Sequence, residues 1–449
     1  MMTAVTATYR RVIALGGPLL PVVSFLGRLP TAMCQLGSLL LVAETSGSLT
    51  TAGLVGGALA AGQTAAGPLI GRLADRHGQR PVVLAACWVN ALAVAALVVT
   101  SLAGLATLPL ALIGLLAGAS VPQIGPLART RLVALAHRAA VGDQVVGAAL
   151  SLEGTLDEAS FVLGPALVGL AASVAHPAVA LALAAVLLAV CGSAFALHPT
   201  ALAVRPVGLA VHPTASAVRP AAASRPPAGR SAGPAGDPPP GRPARTRTPR
   251  AVHALRLSVA LQGAMFGACQ AGITALTERL HQPAQAGLVY AAMGVMSAVA
   301  GISLALVPDR IGLPARWRAA AVALIALCTP LLFVRSLGAL YPVVVVLGVA
   351  FAPHLITVFG LTERLVPATR LAESMAFLTS AVVGGQALAL AVSGRLADAH
   401  GPSAAFAVAV GAAVLILVVA LTTRAGAPPA PPVRGSRPAR EPTADIPAP

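Results

Sequence analysis

The chain has 449 residues, 57% of them apolar and only 10% charged, with a mean hydropathy of +0.84. A soluble domain carries about 25% charged residues, so most of this surface is suited to lipid rather than water. The net charge of +16 would point to nucleic acid in a soluble protein. Here all 30 basic residues are arginines, gathered mostly in loops and tails between apolar runs, which excludes nucleic acid and fits membrane topology.

The first apolar run follows Arg10 and Arg11, as in a signal peptide, but it is too long for one and many more spans follow. It is predicted as a membrane helix near 16–43. A spanning helix takes about 20 predominantly apolar residues. Further runs of that size fall near 50–70, 81–101, 106–128, 145–171 and 176–197. A second set falls near 252–276, 284–307, 318–336, 339–361, 372–393 and 402–423. Continuous runs of this length exclude alternating barrel strands. The predicted fold class is an all-α integral membrane protein with twelve transmembrane helices, six in residues 1–197 and six in 252–424. Between them, 198–251 is rich in Pro, Ala and Arg, holds one acid, Asp237, and has no periodic apolar face. It is predicted as a disordered linker, and 425–449 as a disordered tail.

Arginine placement sets the orientation. With the N-terminus inside, the inner loops and their edges hold Arg72, Arg76, Arg80, Arg129, Arg131, Arg138, Arg310, Arg316, Arg318, Arg364 and Arg370. The outer ones hold Arg279, Arg335 and Arg395. Eleven against three predicts both termini and the linker on the cytoplasmic side of a bacterial inner membrane.

Between the second and third spans, Gly71 to Arg80 reads GRLADRHGQR. Gly71, Leu73, Ala74, Asp75, Arg76, Gly78 and Arg80 match G-x-L-a-D-r-x-G-r-k, the loop between helices 2 and 3 of the major facilitator superfamily, which this chain resembles. Gln79 stands where the family usually has a basic residue. The resemblance implies two pseudo-symmetric six-helix halves that rock about a central site. It implies that Asp75 caps a helix end of the opposite half, with Arg76 and Arg80 closing the inner face beside Glu373. A degraded copy, DRIGLPAR, holds Asp309, Arg310, Gly312 and Arg316 after the eighth span. GRLADAHG recurs at 394–401, on the other face, so it cannot serve the same gate. On the fifth helix, Gly164, Pro165 and Gly169 resemble the Gly-Pro motif of exporters in the superfamily. The family's intramembrane arginine of helix 4 is missing: Gly114 stands at its position, ahead of Gly118.

A charge near the bilayer centre costs roughly 2.5–3.5 kcal/mol on insertion scales, so each needs a partner or a function. Arg28 on the first helix and Glu153, Asp157 and Glu158 on the fifth are such charges. Depth pairs Arg28 with Asp157 or Glu158. Glu153 and Asp157, four apart, share a face, and Glu158 points about 100° away from Asp157. Both a proton or cation site and a static ion pair are open, with surplus negative charge favouring the site. Gln63, Gln123, Gln262, Gln270, His354 and Gln386 are polar residues inside spans and candidates for a cavity lining. Cys34, Cys87, Cys191, Cys269 and Cys328 lie in apolar segments without metal-ligand spacing. No catalytic constellation and no phosphate-binding Gly-rich loop occurs, so neither an enzyme nor an ATP-driven pump is expected, and no cofactor. The expected partners are the lipid bilayer, a small-molecule substrate and protons, with the chain a monomer. The predicted function is secondary active export, with a nutrient importer or a non-transporting sensor or scaffold of the same fold as alternatives.

Overall fold

The computed structural model describes residues 2–204, 250–282, 285–304, 307 and 310–423. Most of the linker, the tail and Asp309 lie outside the described residues. Within them no strand occurs, and eleven helices are long and apolar enough to cross a membrane.

The chain opens on α1 (Met2–Gly16), a separate helix before the first span. Gly17, at φ 78°, turns the chain into α2 (Leu19–Ser46). The first predicted span is thus α2, and Arg10 and Arg11 ahead of it belong to α1, which buries Val12 against the bundle. The helix α3 (Leu49–His77) is the passage whose composition falls short of the other eleven, because Gly, Ala and Thr dilute it. Its 29 residues still span about 43 Å. Gly78 (φ 87°) leads directly into α4 (Gln79–Leu102).

The fourth span, Thr107–Arg138, is broken into α5 (Thr107–Ala119) and α6 (Ile124–Arg138). Gln123 sits at the break with φ 53°, a left-handed backbone uncommon outside glycine. This span runs ten residues past its predicted end at 128. Arg129 and Arg131 are therefore corrected from loop to helix interior, since the apolar face continues through Leu127, Leu132, Val133 and Ala136.

Next come α7 (Asp143–Val174) and α8 (Pro177–Leu187). A π-helical turn, Leu188–Gly192, carries the sixth span into α9 (Ser193–Leu197). A short 3-10 turn, Pro199–Ala203, follows and buries Ala201 and Ala203, so the start of the compositional linker is folded.

The second half comprises α10 (Arg250–Arg279), α11 (Gln285–Ser303), α12 (Leu313–Cys328), α13 (Leu337–Leu365), α14 (Leu371–His400) and α15 (Pro402–Thr422). Its core is built around Trp317, Phe351, Phe406 and Met265. Apolar side chains such as Leu92, Val99, Leu108 and Phe333 stand exposed on the perimeter, where lipid rather than water is the suitable solvent.

Twelve passages place the start of α2 and the end of α15 on one face, called here the terminal face. The two halves meet along two antiparallel pairs, α3 with α14 and α7 with α11.

Candidate functional site

The first candidate site is the buried charge cluster between α2, α6 and α7. Arg28, 5% exposed, makes ion pairs with Glu153, fully buried, and with Asp157 at 2.6 Å. Its Nη1 also donates to the Glu153 carbonyl (3.1 Å), and its Nε to the Ser24 carbonyl (3.1 Å). The opposite oxygen of Asp157 accepts from Arg129. Two guanidinium groups and two carboxylates thus balance in one cluster. Arg129 also lies 4.0 Å over the Phe359 ring, which comes from the other half. The cluster is not saturated: Glu153 Oε1 and Arg129 Nη1 are buried without a hydrogen-bond partner among the described residues.

Glu158 makes no ion pair in this cluster. It is buried and faces Ser297 of α11, across the interface between halves. Ser297 Oγ in turn accepts from the Ala352 amide (3.1 Å) on α13. Depth alone paired Arg28 with Asp157 or Glu158; the structure selects Asp157 and adds Glu153. Arg131, which sequence reading also placed in a loop, is buried and held by the Gln79 oxygen (2.7 Å), the Phe195 carbonyl (2.7 Å) and the Phe195 ring (3.7 Å). Gln79, the departure from the family pattern, is therefore the residue that holds a buried arginine.

The polar candidates separate into three groups. Gln63 and Gln123 are buried near the centre, where Gln35 donates to Gln63 (3.4 Å) and Ser380 to the Gln63 carbonyl (3.4 Å). Gln270 and Gln386 pair at 3.4 Å, half-buried between α10 and α14. Gln262 and His354 do not line a cavity. Gln262 gives its amide hydrogen to the Phe351 carbonyl (2.8 Å) and accepts from His354 Nδ1 (2.6 Å). His354 Nε2 is then the acceptor for Trp317 Nε1 (3.2 Å) and Ser258 Oγ (3.0 Å). Every nitrogen of the ring is satisfied, as in a static core.

The second candidate site is the latch on the terminal face. Asp75, in the last turn of α3, accepts the Ala372 and Glu373 amides at 3.2 and 2.8 Å, capping the N-terminus of α14 in the opposite half. A Cβ on Gly71 would stand 2.6 Å from the Ala372 carbonyl oxygen, so only glycine allows this approach. Arg72, Asp75, Arg76, Thr369, Arg370 and Glu373 line a cavity of about 290 Å³ at this seam. Glu373 pairs with Arg370 at 3.2 Å rather than with Arg76 or Arg80, its side chain turning back along the chain. Arg76 and Arg80 are exposed.

Further ties cross the same face. Arg364 pairs with Asp143 at 2.8 Å and His137 lies 3.4 Å from Glu363. The Tyr9 hydroxyl of α1 donates to the Ile302 carbonyl at 3.0 Å and lies 3.4 Å from Ser151 of α7. At the opposite end of α3, a Cβ on Gly53, Gly56 or Gly57 would meet nothing within 4 Å. The halves are thus tied at the terminal face, while these three positions at the far end of α3 stand open.

On α7, a Cβ at Gly164 would stand 2.7 Å from the Ala32 Cβ, so Gly164 admits α2, while Gly169 meets nothing within 4 Å and Pro165 lies inside the helix. On α5, a Cβ at Gly114 would already stand 3.0 Å from the Val55 carbonyl oxygen, which leaves no room there for an arginine.

The model of the Major Facilitator Superfamily matches residues 22–370 and 255–447. No curated protein sequence matches the chain. Among solved structures, the human organic anion transporter MFSD10 (TETRAN) is 19% identical, with a TM-score of 0.61 over 92% of this chain and 99% of that one. A bacterial homologue of the iron transporter ferroportin in the outward-facing state is 18% identical, with a TM-score of 0.66 over 90% and 98%. The transporter FucP in the outward conformation is 16% identical, with a TM-score of 0.58 over 91% and 98%. At these identities the likeness is one of fold.

Proposed function

From the premise that this chain belongs to the Major Facilitator Superfamily, and so carries out secondary transport across a membrane, we propose that it exports a small organic molecule in exchange for protons. The observation that carries the coupling is the division of labour among three acids on one helix. Glu153 and Asp157 are held by arginines, whereas Glu158 reaches the Ser297 hydroxyl of the other half. A hydroxyl can donate to a carboxylate and accept from a carboxylic acid, so Ser297 can serve Glu158 in both protonation states. It also lies on the seam that moves when the halves rock, which couples proton loading to the change of conformation. Glu158→Gln is expected to abolish transport driven by a pH gradient in proteoliposomes and to leave substrate exchange running. Undiminished pH-driven transport in that variant places the proton elsewhere.

Export is supported by the helix-5 glycine and proline, with Gly164 packed on α2 and Pro165 removing one backbone donor inside the helix. A growth comparison of cells with and without the gene, against a panel of toxic organic compounds, tests direction and finds the substrate class. Greater sensitivity of the cells lacking the gene supports export; greater resistance points to uptake.

The terminal face is the cytoplasmic one in this reading. With Arg129 and Arg131 inside the bundle, nine arginines remain at the loops of that face against three at the other, which keeps the bias. A single cysteine introduced as Ser224→Cys, in a chain without the five native cysteines, is expected to resist membrane-impermeant thiol reagents in whole cells. Labelling from outside reverses the orientation.

A further inference from the structure

GRLADRHG at 71–78 returns at 394–401 as GRLADAHG. Both copies close a long helix on the same kind of turn. Gly78 (φ 87°, ψ 152°) passes α3 into α4, and Gly401 (φ 88°, ψ 172°) passes α14 into α15. The copies lie on opposite faces. The first is engaged with its neighbour; in the second, Asp398 is exposed and a Cβ on Gly394 would meet nothing within 4 Å.

The packing of α3 on α14 keeps one antiparallel register. Gly71 lies on Ala372 and Ala376, Gly67 on Ser380, and Gly384 on Thr64. Starting from the Gly67–Ser380 contact, Asp75 lies eight residues along α3, and Ala372, whose amide it binds, eight residues along α14. Both steps run toward the terminal face. Eighteen residues the other way along each helix is five turns at 3.6 residues each, which returns to the same side of each helix. These steps arrive at the first residue of α3 and at Asp398 of α14. Asp398 thus stands to the first turn of α3 as Asp75 stands to the first turn of α14. The glycines follow the same relation. Gly71, four residues before Asp75, lies on Ala372 and Ala376; Gly394, four residues before Asp398, comes opposite the first turn of α3 and Gly53.

Electrostatics adds an independent reason. A carboxylate in the last turn of its own helix faces the negative end of that helix's dipole. For Asp75 the positive end of α14 offsets this. For Asp398 the matching positive end is that of α3. There Ser48 Oγ accepts the Thr51 amide at 3.2 Å, and the earlier amides of the turn have no acceptor within the helix.

We propose that GRLADAHG is the latch of the opposite gate. When the terminal face opens and the other closes, Asp398 accepts amides of the first turn of α3, Gly394 lets the two backbones meet, and Asp75 releases α14. One helix pair then carries both latches, and closing one end parts the other. The inference rests on the alternating-access reading above and adds the residues of its second gate.

The test uses the full chain with its five native cysteines replaced and one reporter, Gly56→Cys, on the face of α3 that is open here and shut in the other state. Labelling by a membrane-impermeant thiol reagent reads how far the opposite face is open. Asp75→Asn is expected to lower the labelling rate about tenfold or more, the scale of one lost hydrogen bond to a charged group. Adding Asp398→Asn is expected to restore most of it, because both latches are then weakened. If labelling stays low in the double variant, the second latch is overturned while alternating access stands. If Asp75→Asn alone changes nothing, the gate reading falls and takes this inference with it. A second arm replaces the reporter with the pair Ser48→Cys and Asp398→Cys in the Asp75→Asn background. A disulfide that forms on mild oxidation and blocks transport supports the closed contact; failure to form it overturns the contact.

Discussion

Arg28→Ala is expected to lose most of its folded protein, and Arg28→Ala with Glu153→Gln is expected to recover a large part of it. Arg28 holds a fully buried Glu153 and one oxygen of Asp157. Removing one member of a buried pair leaves the other uncompensated, at about 3–5 kcal/mol, against a typical total stability of about 5–15 kcal/mol. Neutralising Glu153 removes the stranded charge. Neutralising Asp157 instead helps less, because Arg129 already covers its other oxygen and is stranded in turn. Adding Glu158→Gln recovers nothing, since Arg28 pairs with Glu153 and Asp157 and not with Glu158. The check is the folded monomer yield and unfolding temperature of detergent-solubilised protein. Equal values for Arg28→Ala and the wild type remove the ion pair from the stability of the bundle.

The choice of partner shows what the sequence withheld. Matching depth brings Arg28 level with Asp157 and Glu158, but a helical side chain leans toward the N-terminus of its own helix and covers the preceding turn. Arg28 does so, bonding Ser24, and since α2 and α7 run in the same direction its guanidinium meets Glu153 one turn closer to the terminal face. Glu158 differs from Asp157 by one residue, yet that rotation turns it to the other half.

The spans were legible because a run of about 20 apolar residues carries its meaning locally. Most boundaries at polar junctions were harder. Arg129 and Arg131 read as a loop because charge usually marks one, and nothing in their neighbours names the Phe359 and Phe195 rings or the Gln79 side chain that receive them. The spacing of Leu127, Leu132, Val133 and Ala136 was the available signal that the helix continues. The left-handed Gln123 at the break in the fourth span has no such signal, since glutamine does not favour that backbone. The role of Tyr9 depends on two carbonyl and hydroxyl oxygens brought together only by packing of both halves. The contact of α3 with the start of α14 was legible from resemblance, because Gly71, Asp75 and Gly78 each answer a backbone demand: a close approach, a helix cap and a positive φ.

Gly71→Ala and Asp75→Asn are expected to cut transport about tenfold or more while leaving the chain in the membrane. In the first, the new methyl would stand 2.6 Å from the Ala372 carbonyl oxygen and 2.8 Å from the Ala376 Cβ, both closer than real Cβ contacts allow. Backbone lies on both sides of the clash, so α3 must move off α14 and the terminal face cannot shut. In the second, the carboxylate that accepts the Ala372 and Glu373 amides becomes a neutral amide with one acceptor, and its NH2 group is turned against the second N–H. A hydrogen bond to a charged group contributes about 1.5–3 kcal/mol, so losing one shifts the balance of conformations at least about tenfold. Each half keeps its own core, built around Trp317 and Phe351 in one and Leu127 and Phe195 in the other, so folding is spared where Arg28→Ala is not. Arg80→Ala is expected to be far milder, since Arg80 is exposed and surface charges contribute about 0–1 kcal/mol. Transport into inverted vesicles, normalised to the amount of chain in the membrane, separates these outcomes. Near-normal transport by Asp75→Asn at normal membrane levels removes the latch from the mechanism, whatever the geometry of α3 and α14.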